Sequence, residues 1–189
     1  MESKLDIGFA LDRRWHLLRG EMERSKKSAL VALARVLADA RLSYAVIGGV
    51  ALQVHQREPR TTLDIDVAVA NLQELPRDAL AAVGFRVTGR FSHSENWVGL
   101  DATPVQFTDD AALSPALSRA TAVDLEGTPL RVLAKVDLLR AKLRAGTDPA
   151  RRKSKRIQDL ADVQALIEDD PALAQELNDA EKQLLAKLP

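Results

Sequence analysis

Residues 44–69 read YAVIGGVALQVHQREPRTTLDIDVAV, and this stretch decides the fold of the chain. A buried strand is predicted at residues 43–47 and a helix at residues 48–56, which begins at Gly48 and Gly49. Glycine lets bare backbone approach a phosphate closely, and the free N–H groups and dipole at the start of a helix favour an anion. The turn therefore predicts a phosphate-binding connection, with a purely structural turn as the alternative.

Asp64 and Asp66 stand one residue apart in a second predicted strand, residues 63–69. Alternate residues of a strand point to the same face, so both carboxylates should project together while Ile65 and Val67 turn into the core. Two carboxylates on one face repel each other unless a cation lies between them, and Mg²⁺ prefers carboxylates together with substrate phosphates. The pair therefore predicts a magnesium site; solvated charge on an exposed edge strand is the alternative.

The composition excludes several classes of protein. Of the 189 residues, 46% are hydrophobic, enough for a packed core, and 27 basic residues balance 27 acidic ones. That balance excludes a globally basic nucleic-acid binder but not a local basic patch. The chain has no cysteine, so it can form neither a disulfide nor a thiolate metal site. Its first 20 residues carry many charges and no apolar run could span a bilayer, so we expect a soluble, cytoplasmic protein with no membrane partner.

The remaining sequence predicts an α+β protein: a small mixed β-sheet core with flanking helices, followed by a helical part. We expect an N-terminal arm or short helix at residues 1–24, the core at 25–132 and the helical C-terminal part at 133–189. The further predicted helices are 25–42, 76–83, 133–144, 152–168 and 171–188. The further predicted strands are 85–88, 97–100, 105–108, 121–125 and 129–132, the last two forming a hairpin.

The polar residues before the second strand complete a known signature. An arginine there could neutralise phosphate charge and the threonines could donate hydroxyl hydrogen bonds, an ordinary polar loop being the alternative. The stretch resembles the signature of DNA polymerase β-type nucleotidyltransferases. Within that superfamily it is similar to the AbiEii-like nucleotidyltransferases, many of which are toxins of bacterial toxin–antitoxin systems. The residues that carry the likeness are Gly48, Gly49, Arg60, Thr62, Asp64, Ile65 and Asp66.

The resemblance implies an enzyme that moves a nucleoside monophosphate from an NTP to an acceptor hydroxyl. Gly48 and Gly49 would hold the triphosphate, and Asp64 and Asp66 would bind Mg²⁺, which polarises the α-phosphate and steadies the leaving pyrophosphate. The further residues assigned to nucleotide binding are Arg60, Thr62, Lys135 and Lys155. The expected acceptor is RNA, with the 3′ end of tRNA as the leading candidate, and a cognate antitoxin protein is an expected partner.

One position departs from the pattern of the superfamily. Many members carry a third carboxylate on a later strand, and the corresponding residues 103–108 present Gln106 inward. A neutral amide is a poor base and a weak metal ligand. Asp101 or Asp109 would take the role if the strand register differed; otherwise the protein is a two-carboxylate variant or a weakened enzyme.

The helical C-terminal part supplies further candidates. Toxin-like relatives carry a lysine on a helix after the core and a Lys-Asp-x-x-Asp pattern on the next helix, which residues 158–162 resemble with Gln158 in place of the lysine. The resemblance implies that Lys142 steadies the triphosphate and that Asp159 orients this lysine or acts as the base. Ordinary surface helix charges are the alternative.

A dense basic cluster lies between positions 140 and 156, opposed only by Asp148. It indicates contact with the phosphates of NTP, RNA or both, although most such clusters are solvated surface. Its members are Arg140, Lys142, Arg144, Arg151, Arg152, Lys153, Lys155 and Arg156. Two other functions stay open: transfer to a protein or to a small molecule such as an aminoglycoside, and a catalytically silent relative that binds a nucleotide or a partner.

Overall fold

The computed structural model describes residues 3–22, 24–58 and 60–187, which form two compact units. The first comprises Met1–Val54 and Glu58–Leu133, and the second comprises His55–Arg57 and Ala134–Pro189. Residues 1, 2 and 23 of the predicted arm, and residue 188 at the end of the last predicted helix, lie outside the described part.

The first unit is built on a seven-stranded mixed sheet in the order β3-β4-β5-β2-β1-β7-β6. Strands β2 and β5 run parallel, as do β1 and β7, and the other neighbours are antiparallel. The strands are β1 (Tyr44–Ile47), β2 (Ile65–Val69), β3 (Arg86–Phe91), β4 (Ser94–Val98), β5 (Pro104–Thr108), β6 (Thr121–Leu125) and β7 (Thr128–Val132). This mixed sheet with flanking helices confirms the predicted fold class.

The helices of this unit pack apolar side chains into a core. They are α1 (Lys4–Leu18), α2 (Lys27–Asp39), α3 (Gly48–His55, of which the last residue belongs to the second unit), α4 (Arg77–Ala82) and α5 (Ser114–Leu117), with 3₁₀ helices at Leu72–Glu74 and Leu100–Ala102. Helix α2 buries Leu30, Leu33 and Leu37 at the helical spacing of its sequence. Helix α1 occupies most of the predicted arm and buries Leu5 and Phe9, so this segment contributes to the core.

The second unit is helical. Its elements are α6 (Lys135–Thr147), α7 (Lys153–Asp169), a 3₁₀ helix (Pro171–Glu176) and α8 (Asp179–Leu185). Gly146 was expected to end the first of these helices, but it lies inside α6, where an added Cβ would overlap Leu160 of α7. This glycine therefore permits close packing of two helices. None of the helices in the part of the chain that the structure describes is long and apolar enough to cross a membrane.

The prediction of one continuous helix over residues 171–188 is wrong. After the 3₁₀ helix, Leu177 is extended with ψ 144°, and Asn178 caps a new helix by accepting a hydrogen bond from the backbone N–H of Glu181 at 2.9 Å. The Glu181 carboxylate in turn accepts from the backbone N–H of Asn178 at 2.8 Å. This reciprocal capping box stabilises a fresh helix start rather than a continuation.

Candidate active site

The glycine turn after β1 is a close-packed joint between backbone and side chains. Gly48 has φ +62°, in the left-handed region that favours glycine, and an added Cβ would overlap the Oδ2 atom of Asp66. A Cβ at Gly49 would overlap the hydroxyl of Thr62 in the same way. The two glycines therefore let Asp66 and Thr62 lie directly against the start of α3, a close packing of side chains that the sequence did not indicate.

Asp64 does not lie in the second strand as expected, because β2 begins at Ile65. Its side chain is exposed, and the buried hydroxyl of Thr62 donates a hydrogen bond to its Oδ1 atom at 2.8 Å. Asp66 does lie in β2 and is half-buried. The orientation of Asp64 thus depends on a local hydroxyl contact, whereas that of Asp66 depends on the strand and the glycine turn.

The segment that leads into β2 is held by a buried amide. Gln53 of α3 is fully buried and its Nε2 donates to the carbonyl oxygen of Arg60 at 2.8 Å. An added Cβ on Gly8 of α1 would overlap this amide, so Gln53 is enclosed on that side too. Sequence reasoning missed Gln53 because nothing local distinguishes it from any other polar helix residue.

Gln106 lies beside Asp66 in the sheet, at the position that the sequence indicated. The parallel register of β2 and β5 pairs these two residues, and β4 places Asn96 on the other side of Gln106. The Nε2 of Gln106 donates to Oδ1 of Asn96 at 3.1 Å. Directly paired residues share a sheet face, so an uncharged amide pair continues the row that starts at Asp66.

Neither alternative acid takes the place of Gln106. Asp101 precedes β5, in the 3₁₀ helix Leu100–Ala102, with φ 55°. Asp109 follows β5, and its carboxylate is 3.1 Å from Nδ1 of His93. The two residues are therefore at opposite ends of β5, away from the register position of Asp66.

The side chains at this site fit a magnesium ion that also binds substrate phosphate. Among the described residues, no group of three or more histidine, aspartate or glutamate side chains could hold a metal ion. Mg²⁺ commonly uses one or two protein carboxylates and completes its shell with water and phosphate oxygens, so the pair Asp64 and Asp66 suffices as a donor set. Because Gly48 has no Cβ, the carboxylate of Asp66 can lie directly beside the start of α3.

In the second unit, Lys142 and Asp159 contact each other. Lys142 Nζ is 2.8 Å from Asp159 Oδ1 and 2.8 Å from Asp162 Oδ2. Arg151 Nε is 2.7 Å from the other oxygen of Asp159. The two aspartate side chains are 5% and 6% exposed, so this is a nearly buried network in which carboxylates compensate the lysine charge.

The other two lysines assigned to nucleotide binding have different surroundings. Lys135 Nζ is 3.4 Å from Asp170 Oδ2. Lys155 is exposed in the first turn of α7, a turn that has no acidic residue and no side-chain cap. Within this unit, Lys135 and Lys142 thus have different carboxylate partners, although the sequence places them two turns apart on one helix.

Comparison with known proteins identifies the fold. No protein-family model matches the sequence, and no curated protein matches it significantly. Solved structures that are similar to the chain include an antigenic nucleotidyltransferase-like protein from Paracoccidioides brasiliensis (TM-score 0.61, 20% identity, 85% of each chain covered). Another is ANT(2″)-Ia in complex with adenylyl-2″-tobramycin (TM-score 0.55, 15% identity, 85% of this chain and 95% of that one). A third is the lincosamide antibiotic adenylyltransferase LnuA with bound lincomycin (TM-score 0.51, 10% identity, 76% and 98%).

These likenesses establish that the chain has a nucleotidyltransferase fold. None of them singles out the AbiEii-like family. Fold alone does not assign a reaction, which has to be argued from the residues of the site.

Proposed function

We propose that the protein is a Mg²⁺-dependent nucleotidyltransferase that moves a nucleoside monophosphate from an NTP to an acceptor hydroxyl. The observation that carries this proposal is the packing of Asp66 against Gly48 at the start of α3, together with Asp64 two residues earlier, whose carboxylate is held by the hydroxyl of Thr62. Two carboxylates at a glycine turn, on a nucleotidyltransferase fold, combine a cation site with the anion-attracting start of a helix.

The residues of the site would have separate roles in binding the metal ion and the phosphates. Asp64 and Asp66 would hold the ion, which when bound polarises the α-phosphate and balances the charge of the leaving pyrophosphate. The backbone N–H groups at the start of α3 favour the phosphates, and Thr62 fixes the orientation of Asp64. The acceptor oxygen would then bond to the α-phosphorus in line with the bond to pyrophosphate, which breaks, and the hydroxyl proton would pass to water.

The catalytic roles of Lys142 and Asp159 are proposals that rest on the sequence resemblance. Their 2.8 Å contact supports the version in which Asp159 orients the lysine. Both carboxylate oxygens of Asp159 already contact a cation, Lys142 or Arg151, which argues against a role for Asp159 as the base. Arg60, Lys135 and Lys155 likewise stay proposals for nucleotide binding.

The proposed acceptor is RNA, with tRNA as the leading candidate, and the proposed biological role is that of an AbiEii-like toxin with a cognate antitoxin. The first turn of α7 supports an RNA partner, because Arg152, Lys153 and Lys155 are exposed there with no acidic residue in the turn. Such a basic surface binds a phosphate backbone without reading its sequence. A cytoplasmic location, where tRNA and NTPs are abundant, goes with this role.

A small-molecule acceptor is the second candidate. The ANT(2″)-Ia complex contains adenylylated tobramycin and the LnuA structure contains lincomycin, and both proteins share the fold of this chain. The neutral Gln106 is the observation that favours a third candidate, a relative that binds a nucleotide without turnover.

One labelling experiment separates these candidates. The protein is incubated with each α-labelled NTP and Mg²⁺, together with total tRNA, with cell extract protein, or with aminoglycosides and lincosamides. Label on tRNA supports the leading proposal, and label on protein or antibiotic selects another acceptor. NTP binding in calorimetry without transfer to any acceptor would identify the silent relative.

Variants of the aspartates show whether any transfer belongs to the proposed site. Asp64→Asn and Asp66→Asn should each lower the rate at least about 100-fold while the protein remains folded, because metal charge compensation supplies several kcal/mol. Asp109→Asn, at the far end of β5, is the matched control and should transfer normally. For the toxin role, expression of the wild-type protein should arrest bacterial growth, and Asp64→Asn should not.

A further inference from the structure

A buried ion pair lies behind the segment that leads into β2. Lys26, the residue that precedes α2, is 1% exposed at its side chain, and Asp12 of α1 is 2% exposed. The Nζ atom of Lys26 donates to Oδ2 of Asp12 at 2.5 Å and to the carbonyl oxygen of Thr62 at 2.8 Å. The pair therefore connects the first two helices to the residue whose hydroxyl holds Asp64.

Burying this ion pair costs free energy, because both charges lose their hydration. Burial raises the pKa of the Asp12 carboxyl and lowers the pKa of the Lys26 ammonium, since both charges have lost water. The Oδ1 atom of Asp12 is buried and has no hydrogen-bond partner. Apolar residues of similar volume often replace such a pair with no loss of stability, so stability alone does not account for it.

The contact that apolar residues could not replace is the one to Thr62. Its carbonyl oxygen accepts from Lys26, its hydroxyl donates to Asp64, and its side chain lies against Gly49. Gln53 holds the carbonyl oxygen two residues earlier, at Arg60. The segment is thus fixed at three points directly before the exposed carboxylate.

We propose that Lys26, neutralised by Asp12, is a positioning residue that fixes the backbone of Thr62 and through it the carboxylate of Asp64. The inference rests on the proposed function only in so far as Asp64 binds metal. Residues that orient metal ligands through a hydrogen bond typically contribute a factor of about 10 to 100 in affinity or activity, so the predicted effect is measurable.

The test separates positioning from stability. The double variant Asp12→Leu/Lys26→Met removes both charges and the donor to Thr62, and a pocket of about 180 Å³ that both residues line gives room for the larger leucine. Asp12→Asn/Lys26→Met is the second, nearly isosteric variant in case the leucine does not fit. Lys27→Met is the matched control, because Lys27 Nζ lies 5.8 Å from the same Phe9 ring centroid as Lys26 Nζ, at 5.6 Å, but bonds to neither Asp12 nor Thr62.

Four readouts are compared with the wild type: urea unfolding, binding of Mn²⁺ as a probe of the metal site, amide hydrogen exchange of residues 61–65, and the steady-state kinetics of nucleotidyl transfer. The double variant should unfold at an unchanged or higher urea concentration. Its Mn²⁺ affinity should fall about 10- to 100-fold, and its kcat should fall with little change in KM for the NTP. Exchange in residues 61–65 should become at least roughly tenfold faster, as expected from the loss of one hydrogen bond to a charged group.

Each possible outcome either supports or overturns the proposed role of Lys26. Unchanged Mn²⁺ affinity and exchange in the double variant would overturn the proposal and leave the proposed function intact, and so would an equal loss in Lys27→Met. Stability and affinity that fall together in both double variants would also overturn it, because the pair would then be structural. If the wild type binds no Mn²⁺ and transfers no label, the proposed function fails, and exchange of residues 61–65 alone decides whether Lys26 holds the segment.

Discussion

Gly48 offers the sharpest test of how the site is assembled. In Gly48→Ala, the new methyl group meets two separate penalties. The residue keeps a left-handed φ of +62°, which strains any side chain by about 1 to 2 kcal/mol. The methyl group also overlaps the Oδ2 atom of Asp66, and overpacking of this kind typically costs about 1 to 3 kcal/mol. We therefore expect a total loss of about 2 to 5 kcal/mol of unfolding free energy, with the carboxylate displaced.

Gly127 provides a matched control for the backbone term. It has φ +75° at the turn between β6 and β7, and an added Cβ there would meet nothing within 4 Å. Gly127→Ala should therefore lose only about 1 to 2 kcal/mol and keep full activity. The difference between the two variants in urea unfolding isolates the overlap with Asp66.

A double variant completes the cycle. In Gly48→Ala/Asp66→Ala the overlapping oxygen is gone, so the double variant should be more stable than the two single changes predict, by about 1 to 3 kcal/mol. Nucleotidyl transfer should not return, because the ligand is missing. Equal losses for Gly48→Ala and Gly127→Ala, with additive energies in the cycle, would refute the packing of Asp66 against this turn.

Two further predictions concern charge. Burial raises the pKa of Tyr44, the only tyrosine of the chain, so its absorbance near 295 nm should titrate above the usual pH of about 10 in the folded protein. Because the folded state binds the phenolic proton more tightly, this contribution to stability is complete below about pH 10 and is lost as the pH rises towards the raised pKa. The Tyr44→Phe variant should not show this loss of stability at high pH. Titration of Tyr44 at the ordinary pH would contradict the prediction. Lys142→Met should lower the unfolding free energy by about 3 kcal/mol, since it leaves two nearly buried aspartates without their shared cation. Lys135→Met, which removes a longer contact to one half-exposed aspartate, should lose less than about 1 kcal/mol in the same urea titration, and equal losses would count against the network.

Local patterns predicted most of the fold. The glycine turn, the strands around it and the hairpin around Gly127 depend on hydrophobic alternation and turn chemistry, both of which are legible in a single sequence. The superfamily pattern indicated Gln106 as the inward residue of its strand, and the register of the sheet places it beside Asp66. The start of α8 could also have been predicted from the sequence. Glu181 follows Asn178 by three residues, which is a capping-box pattern.

The supports of the site were not predictable, because they join distant parts of the chain. Lys26 reaches a carbonyl oxygen 36 residues away, and no local periodicity distinguishes it from the half-buried Lys27. The strand β2 begins two residues later than the apolar pattern suggested, so Asp64 lies outside it and bonds to the hydroxyl of Thr62. Contacts of this kind depend on tertiary packing, which a single sequence does not specify.

The amide pair beside Asp66 determines where a cation could bind. The side chain of Gln106 already has a hydrogen-bond partner in Asn96, so the β5 side of this row of side chains needs no ion. The carboxylates are on the β2 side of this row: Asp66 lies in the strand and packs against Gly48, and Asp64 lies directly before the strand and accepts a hydrogen bond from Thr62. An ion would therefore be bound from the β2 side and would take its remaining oxygens from water and nucleotide, as Mg²⁺ commonly does. On this reasoning the neutral side chain of Gln106 does not by itself decide between an active and a silent protein. The decisive features are the packing of Asp66 against Gly48 and the hold of Thr62 on Asp64.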